Sequence, residues 1–243
     1  MKISELFYSV QGEGKRAGVP SFFIRTNHCN LRCKFSGGNL CDTSYTSWFP
    51  DDKKNLGEVE ISDIVSEYKK YLCKDIVITG GEPAMYKNEL EELCNELKKI
   101  KPECYITIET NGTYSGNFLK YIDLISVSPK LKSSVPFNTE FEKMHENNRL
   151  NIPVLKEINL MKKNKSSDVQ WKFIFTGEND IDEIKALQEK VGFENEEIFL
   201  MPEGITKEEL EKKRIITIGS CLKNNFNYSD RLHIIAWGNK RGV

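Results

Sequence analysis

Three cysteines fall within thirteen residues: Cys29, Cys33 and Cys41. Cys29 and Cys33 are four apart, which in a helical turn puts both thiols on one face, about 5–6 Å apart at Cβ. Cys41 follows after seven residues that include Gly37-Gly38, a pair suited to doubling the chain back. Three thiolates can bind three irons of a cubane cluster and leave the fourth iron open to another ligand. Two plainer readings stay open on spacing alone. The group could be a structural zinc site completed by His28, or three unrelated buried cysteines.

The other four cysteines are scattered. Cys73 and Cys94 fall on predicted helices near apolar stripes, and Cys104 starts a predicted strand. Cys221 is the one serious competitor to Cys41 as a third ligand. Seven cysteines in 243 residues are too few and too uneven for a disulfide framework. Lys+Arg is 35 against Asp+Glu 36, a net charge of −1, which argues against a nucleic-acid-binding surface. No apolar run approaches the ~20 residues that span a bilayer, and the N-terminus lacks a signal peptide's apolar stretch. A soluble, cytoplasmic protein is expected.

Short apolar runs alternate with amphipathic stretches. Strands are predicted at 21–26, 75–79, 105–108, 124–127, 169–175 and 197–201. Helices are predicted at 61–73 (Ile61, Ile64, Val65, Tyr68, Leu72), 88–100, 153–163, 180–191 and 206–214. A last apolar run covers His233–Trp237. Residues 131–152 read as a polar, irregular surface excursion. This order implies right-handed βαβ units and a mainly parallel sheet. About six units are too few for a closed eight-fold barrel. The expectation is an α/β fold, an open partial (β/α) barrel in one domain spanning 1–243. Ligands of such sheets bind at the C-terminal strand ends. The cysteine loop, Thr79-Gly80-Gly81-Glu82-Pro83, Glu109-Thr110-Asn111 and Ser128-Pro129-Lys130 all fall at that edge.

Several of these segments could equally be ordinary turns. Glycines after a strand let a backbone approach a ligand, but Glu82-Pro83 also suits a helix start. Ser128-Pro129-Lys130, Met201-Pro202-Glu203-Gly204 and Val10-Gln11-Gly12-Glu13-Gly14 are common turn compositions. Taken together with the cysteines they have a single parallel. Cys29-Asn30-Leu31-Arg32-Cys33, then Cys41-Asp42-Thr43, resembles the cluster loop of radical S-adenosylmethionine (SAM) enzymes. The Cys-Asp-Thr ending and Phe7-Tyr8-Ser9-Val10-Gln11-Gly12-Glu13-Gly14 resemble 7-carboxy-7-deazaguanine synthases in particular. The family's usual spacing is C-x3-C-x2-C. Here it is C-x3-C-x7-C, five residues longer between Cys33 and Cys41.

The resemblance runs from residue 5 to 243 and is weakest across 131–165 and 205–230. It implies a 4Fe–4S cluster on Cys29, Cys33 and Cys41, and Mg²⁺ on Thr43. It implies SAM contacts at Gly81, Glu82, Ser128, Pro129, Lys130, Met201, Pro202, Glu203 and Gly204. Substrate contacts are implied at Val10, Gln11, Gly12, Glu13, Arg25, Thr79 and Val243. A fixed guanidinium at Arg25 suits a pterin carboxylate. The implied reaction turns 6-carboxy-5,6,7,8-tetrahydropterin into 7-carboxy-7-deazaguanine with loss of ammonia, in queuosine and deazapurine biosynthesis. A 5′-deoxyadenosyl radical from SAM takes hydrogen from C6 of the pterin, and the ring contracts. A flavodoxin or ferredoxin as electron donor and a homodimer are expected with it. Two rivals differ in kind. A glycyl-radical activase should lack Gln11-Gly12-Glu13, and a zinc-stabilised binding module would hold no iron or sulfide.

Overall fold

Alternation along the strands decides what each shows to either side. In β7 (Asp168–Phe175), Val169, Trp171 and Phe173 face the helices, while Gln170, Lys172 and Ile174 face the other way. In β5 (Tyr105–Thr110), Ile106 and Ile108 join the same core, leaving Thr107 and Glu109 opposite. The computed structural model describes every residue except Leu72. Leu72, counted in the helical spacing above, lies outside the described residues.

The strands β1 (Lys2–Val10), β2 (Pro20–Thr26), β3 (Gly57–Glu58), β4 (Asp75–Gly80), β5, β6 (Leu124–Val127), β7, β8 (Ile198–Pro202) and β9 (Asn227–Tyr228) form one sheet. Its order is β3-β1-β2-β4-β5-β6-β7-β8-β9. From β2 to β9 all pairings are parallel, while β1 runs antiparallel to β2, and β3 to β1. The sheet's end strands do not pair with each other, so the barrel is open, as expected.

Among the described residues, seven α-helices lie between strands along the chain, and an eighth follows β9. They are α1 (Ser44–Ser47), α2 (Ile61–Lys69), α3 (Lys87–Ile100), α4 (Glu142–Asn148), α5 (Ile152–Lys163), α6 (Asn179–Val191), α7 (Lys207–Asn224) and α8 (Leu232–Trp237). The stripe Leu90, Leu93 and Leu97 read in the sequence is buried on α3, with Cys94 beside it, and α2 buries Ile64, Val65 and Tyr68. On the inner face Phe7, Phe23 and Val77 form a separate apolar plug, with the Phe7 and Phe23 rings stacked at 4.8 Å. One step further along the same strands stand Arg25 and Thr79, cross-strand neighbours above the plug.

Three expectations change. β1 is a nine-residue strand where the sequence reading placed no element before the glycine-rich turn, because its pairing with β2, with Phe7 stacked on Phe23, makes it a strand. The helix begun at 207 continues to Asn224, held at its start by a capping box between Thr206 and Glu209. Residues 131–152 are not merely an excursion. They carry α4, and Leu131, Ser134, Val135 and His145 are buried.

The outer core depends on one aromatic stack, Phe193 against the fully buried Trp171 at 4.4 Å. Phe193→Ala should lower unfolding free energy by about 3–5 kcal/mol, the range for a large aromatic lost from a packed core. Denaturant titration of the cluster-free protein checks it, and a loss under about 1 kcal/mol would show that the site collapses freely.

Candidate active site

The cysteine loop leaves β2 at Asn27 and His28, where His28 takes a left-handed φ of 66°. It does not form the helical turn expected for Cys29–Cys33. In a helix the His28 carbonyl would accept from the Arg32 N–H. Here it accepts from Glu82 N–H at 2.8 Å instead. The Arg32 N–H goes to Nδ1 of buried His145 at 3.1 Å, and the Arg32 side chain donates back to the Cys29 carbonyl at 2.7 Å. That acceptor role fixes His145 with its proton on Nε2, which meets Ser134 Oγ at 3.2 Å.

The five extra residues make a tight antiparallel loop. Lys34 bridges Leu40, Phe35 N–H donates to Asn39 O at 2.9 Å, and Gly38 turns with φ 88°. Cys41 N–H then meets Cys33 O at 3.2 Å, so the chain returns to where it left. Asn39 pins the loop to Glu203 at 2.9 Å and to Glu209 at 3.1 Å. Leu31, Cys33 and Phe35 pack together, with Cys29, Cys41 and Ile174 against them.

All three thiols line one open cavity at the C-terminal ends of the strands. Burial pushes the Cys29 thiol up to about 12 and the Cys33 thiol up as well. Such thiols need a metal's charge to ionise. The other four cysteines stand elsewhere. Cys94 is buried on α3, Cys104 precedes β5, and Cys221 on α7 donates to Asn227 O at 3.3 Å. Cys73 lies beyond the end of α2 rather than on it, and its thiol donates to Asp75 O at 3.2 Å. His28 does not line the cavity. Among the described residues, Glu13, Asp42 and His233 are the metal-ligating types whose atoms gather within 4.8 Å, and the three thiols are not so gathered.

Of the residues expected to hold SAM, Gly81, Ser128, Lys130, Met201, Glu203 and Gly204 line the cavity. Glu82, Pro129 and Pro202 do not. The Glu82 carboxylate is fully buried and accepts from Ala84 N–H at 2.9 Å, Thr110 Oγ1 at 2.7 Å and Asn111 N–H at 2.6 Å. It ties the exit of β4 to that of β5. Burial still leaves its pKa above the usual carboxylate value. Gly81 has a duty the sequence did not reveal. A Cβ there would sit 2.0 Å from His28 O, so the glycine lets the cysteine loop lie against β4.

Every residue expected on the substrate side lines the cavity: Val10, Gln11, Gly12, Glu13, Arg25, Thr79 and Val243. Glu109 accepts from Thr79 Oγ1 at 2.8 Å and from Gln11 Nε2 at 3.2 Å. Lys172, 4% exposed, joins Glu13 at 2.5 Å and Glu109 at 3.3 Å. Arg231 reaches Glu13 at 3.2 Å and also pairs with Asp42. Burial would raise the Glu13 pKa, but Lys172 and then Arg231 outweigh it and hold the carboxyl well below the usual range. Because Arg231 lies across Glu13 and Asp42, that trio with His233 already has its counter-charge. Sequence reasoning missed Lys172, Arg231, His233 and the hub role of Glu109. The alternation in Asp168–Phe175 was the signal for Lys172, a lone cation on a face otherwise fit for burial.

Comparison with known proteins supplies the family. The chain matches the Radical SAM superfamily over residues 23–191, which defines its class. A 7-carboxy-7-deazaguanine synthase of Halobacterium salinarum is 36% identical, covering 98% of this chain and 90% of the relative. One from Rhodopirellula baltica is 35% identical over 99% of this chain and 88% of its own. The crystal structure of QueE from Escherichia coli shares the fold, with TM-score 0.66 and 24% identity, covering 96% of this chain and 94% of that one. The chain belongs to the 7-carboxy-7-deazaguanine synthase family. It is a radical SAM enzyme, and membership implies a 4Fe–4S cluster and SAM as its cofactors. No helix among the described residues is long and apolar enough to cross a membrane.

Two outcomes follow from this site. Cys41→Ser should abolish the 4Fe–4S spectrum after anaerobic reconstitution, while Cys221→Ser keeps wild-type iron and sulfide. The reverse result would move the third ligand to α7. Burial also holds His145 and His233 down to about 4, from an ordinary 6.5. Between those values the unfolded chain binds protons that the folded chain does not, so stability falls as pH drops from 6.5 toward 4. Denaturation midpoints across that window should fall less steeply in His145→Gln than in the wild type.

Proposed function

We propose that the chain converts 6-carboxy-5,6,7,8-tetrahydropterin to 7-carboxy-7-deazaguanine with loss of ammonia. The carrying observation is the group Arg25, Thr79 and Glu109 on the inner strand face, with Gln11 just past β1, in the same cavity as the three thiols. A carboxylate such as Glu109 suits the paired N–H groups of an aminopyrimidinone edge. A guanidinium such as Arg25 suits a carboxylate. Six basic and four acidic side chains line the cavity among the described residues, a surplus that favours an anionic substrate.

We infer that Cys29, Cys33 and Cys41, which line the same cavity, would hold the cluster by three of its irons. The cluster and SAM supply the one-electron chemistry that starts hydrogen abstraction. Gly81, Ser128, Lys130, Met201, Glu203 and Gly204 are assigned to SAM, and Val10, Gln11, Gly12, Glu13, Arg25, Thr79 and Val243 to the pterin. Lys172 and Arg231 keep Glu13 ionised, so Glu13 is a hydrogen-bond acceptor and not a proton donor. Gly12 lets the turn close on α8, since a Cβ there would meet His233 Nδ1 at 2.2 Å.

Thr43 is proposed as the protein ligand of Mg²⁺. It immediately precedes α1, its hydroxyl caps no N–H, and that hydroxyl lies 3.3 Å from Cys41 Sγ. A hard ion that keeps most of its waters needs few such oxygens. The whole chain is read as one radical SAM domain, working as a homodimer with a flavodoxin or ferredoxin as reductant. An anaerobic assay with the carboxytetrahydropterin, SAM and dithionite should yield 7-carboxy-7-deazaguanine, and absence of product would refute the reading. In the same assay Arg25→Lys should lower kcat/KM for the pterin by about 1.5–3 kcal/mol, the value of a hydrogen bond to a charged group. An unchanged kcat/KM would remove Arg25 from the site.

A further inference from the structure

Glu5 has no place in the cavity wall, yet three groups that do line it converge on its carboxylate. Oε2 accepts from Arg25 Nε at 2.9 Å and from the Tyr45 hydroxyl at 2.8 Å, and Oε1 accepts from Arg241 Nε at 3.0 Å. The three donors come from different parts of the chain: β2, α1 and the segment after α8. Glu5 and Arg25 are cross-strand partners on β1 and β2, so the acceptor is carried by rigid backbone. The Glu5 side chain is 10% exposed, and all three bonds are made where water competes little.

Each donor is shaped by this acceptor. Arg25 uses Nε on Glu5, and its two Nη groups make no hydrogen bond among the described residues. Arg241 lays its guanidinium 3.8 Å from the Tyr45 ring centre and reaches Asn55 Oδ1 at 2.9 Å and Asp52 Oδ1 at 3.4 Å. These contacts hold residues 238–242, which have little else to fix them, against the cavity. Among the described residues, backbone bonds within that stretch include Lys240 N–H to Gly238 O at 2.9 Å.

We propose that Glu5 is a positioning residue that links docking of the 238–242 segment to the aim of Arg25, so that the substrate site is complete only when Arg241 is seated. The proposal rests on the pterin reading for Arg25's role, and adds to it the residues that set the aim. The carboxylate is suited to this because its two oxygens serve different elements at once. Glutamine keeps the shape but turns an N–H toward a guanidinium, so at least one of the three bonds is lost.

The test uses the reconstituted holoenzyme with Arg241→Gln, Glu5→Gln and the double variant. Without pterin, amide exchange of 238–242, followed by mass spectrometry, should quicken about tenfold or more in both single variants. With pterin, KM should rise about tenfold in each while kcat stays within about threefold. The double variant should resemble either single one, because one shared link has already been cut. Unchanged exchange in Glu5→Gln overturns the proposal whatever the substrate is. Independent, multiplying effects on KM in the double variant also overturn it. Arg241 lies outside the sheet, so its variant reports even if Glu5→Gln folds poorly. Failure of the wild type to turn over the pterin would count against the functional reading, and the exchange result would still decide the docking.

Discussion

Charge buried on the inner face of an open sheet must be neutralised by other charge brought there by the fold. The ion pairs around Glu13 meet that demand. Lys172 comes from β7, Arg231 from the turn before α8, and Asp42 from the end of the cysteine loop. Distant parts of the chain thus meet in one network, with Lys172 and Arg231 on Glu13 and Asp42 joined through Arg231. Removing Lys172 would leave Glu109 without its ion-pair partner and Glu13 with Arg231 alone. The turn, the approach to the last helix and the cysteine loop are therefore tied to one another by charge.

Much of the fold was legible because the outer core is simple. Ile76, Ile78, Ile106 and Ile108 repeat every second residue, and the helices repeat every three or four, so strand and helix positions follow from burial on one side. The boundaries that slipped did so where tertiary contacts decide. β1 is a strand through pairing with β2 and β3, which no local pattern announces. Residues 131–152 looked polar because His145, Ser134 and Arg149 are polar, yet each is buried against a partner. A buried polar group and an exposed one read alike in sequence.

The site was legible as a set of segments and less so as a set of roles. The turn motifs predicted which strand ends converge, and the convergence is there. They could not say which side chains face the cavity. Glu82 looked like a ligand and is a brace, since two strand exits needed a common acceptor. Gly81 looked like room for a cofactor and is also room for the chain itself. Lys172 and Arg231 went unnoticed because Glu13, which both reach, lies 159 and 218 residues away from them, and pairing at that separation cannot be read from local sequence.

The closed return from Cys33 to Cys41 bears on how such sites are recognised. The backbone bond between Cys41 N–H and Cys33 O joins the two ends of the excursion, so the distance between the thiols is insulated from what lies between them. Residues there can be added in a hairpin without moving either ligand, as long as its ends still meet. A signature written as a fixed residue count measures contour length, whereas a cluster responds to end-to-end distance. For loops of this kind the two quantities are uncoupled, and the sequence after the last cysteine is a steadier landmark than the spacing before it.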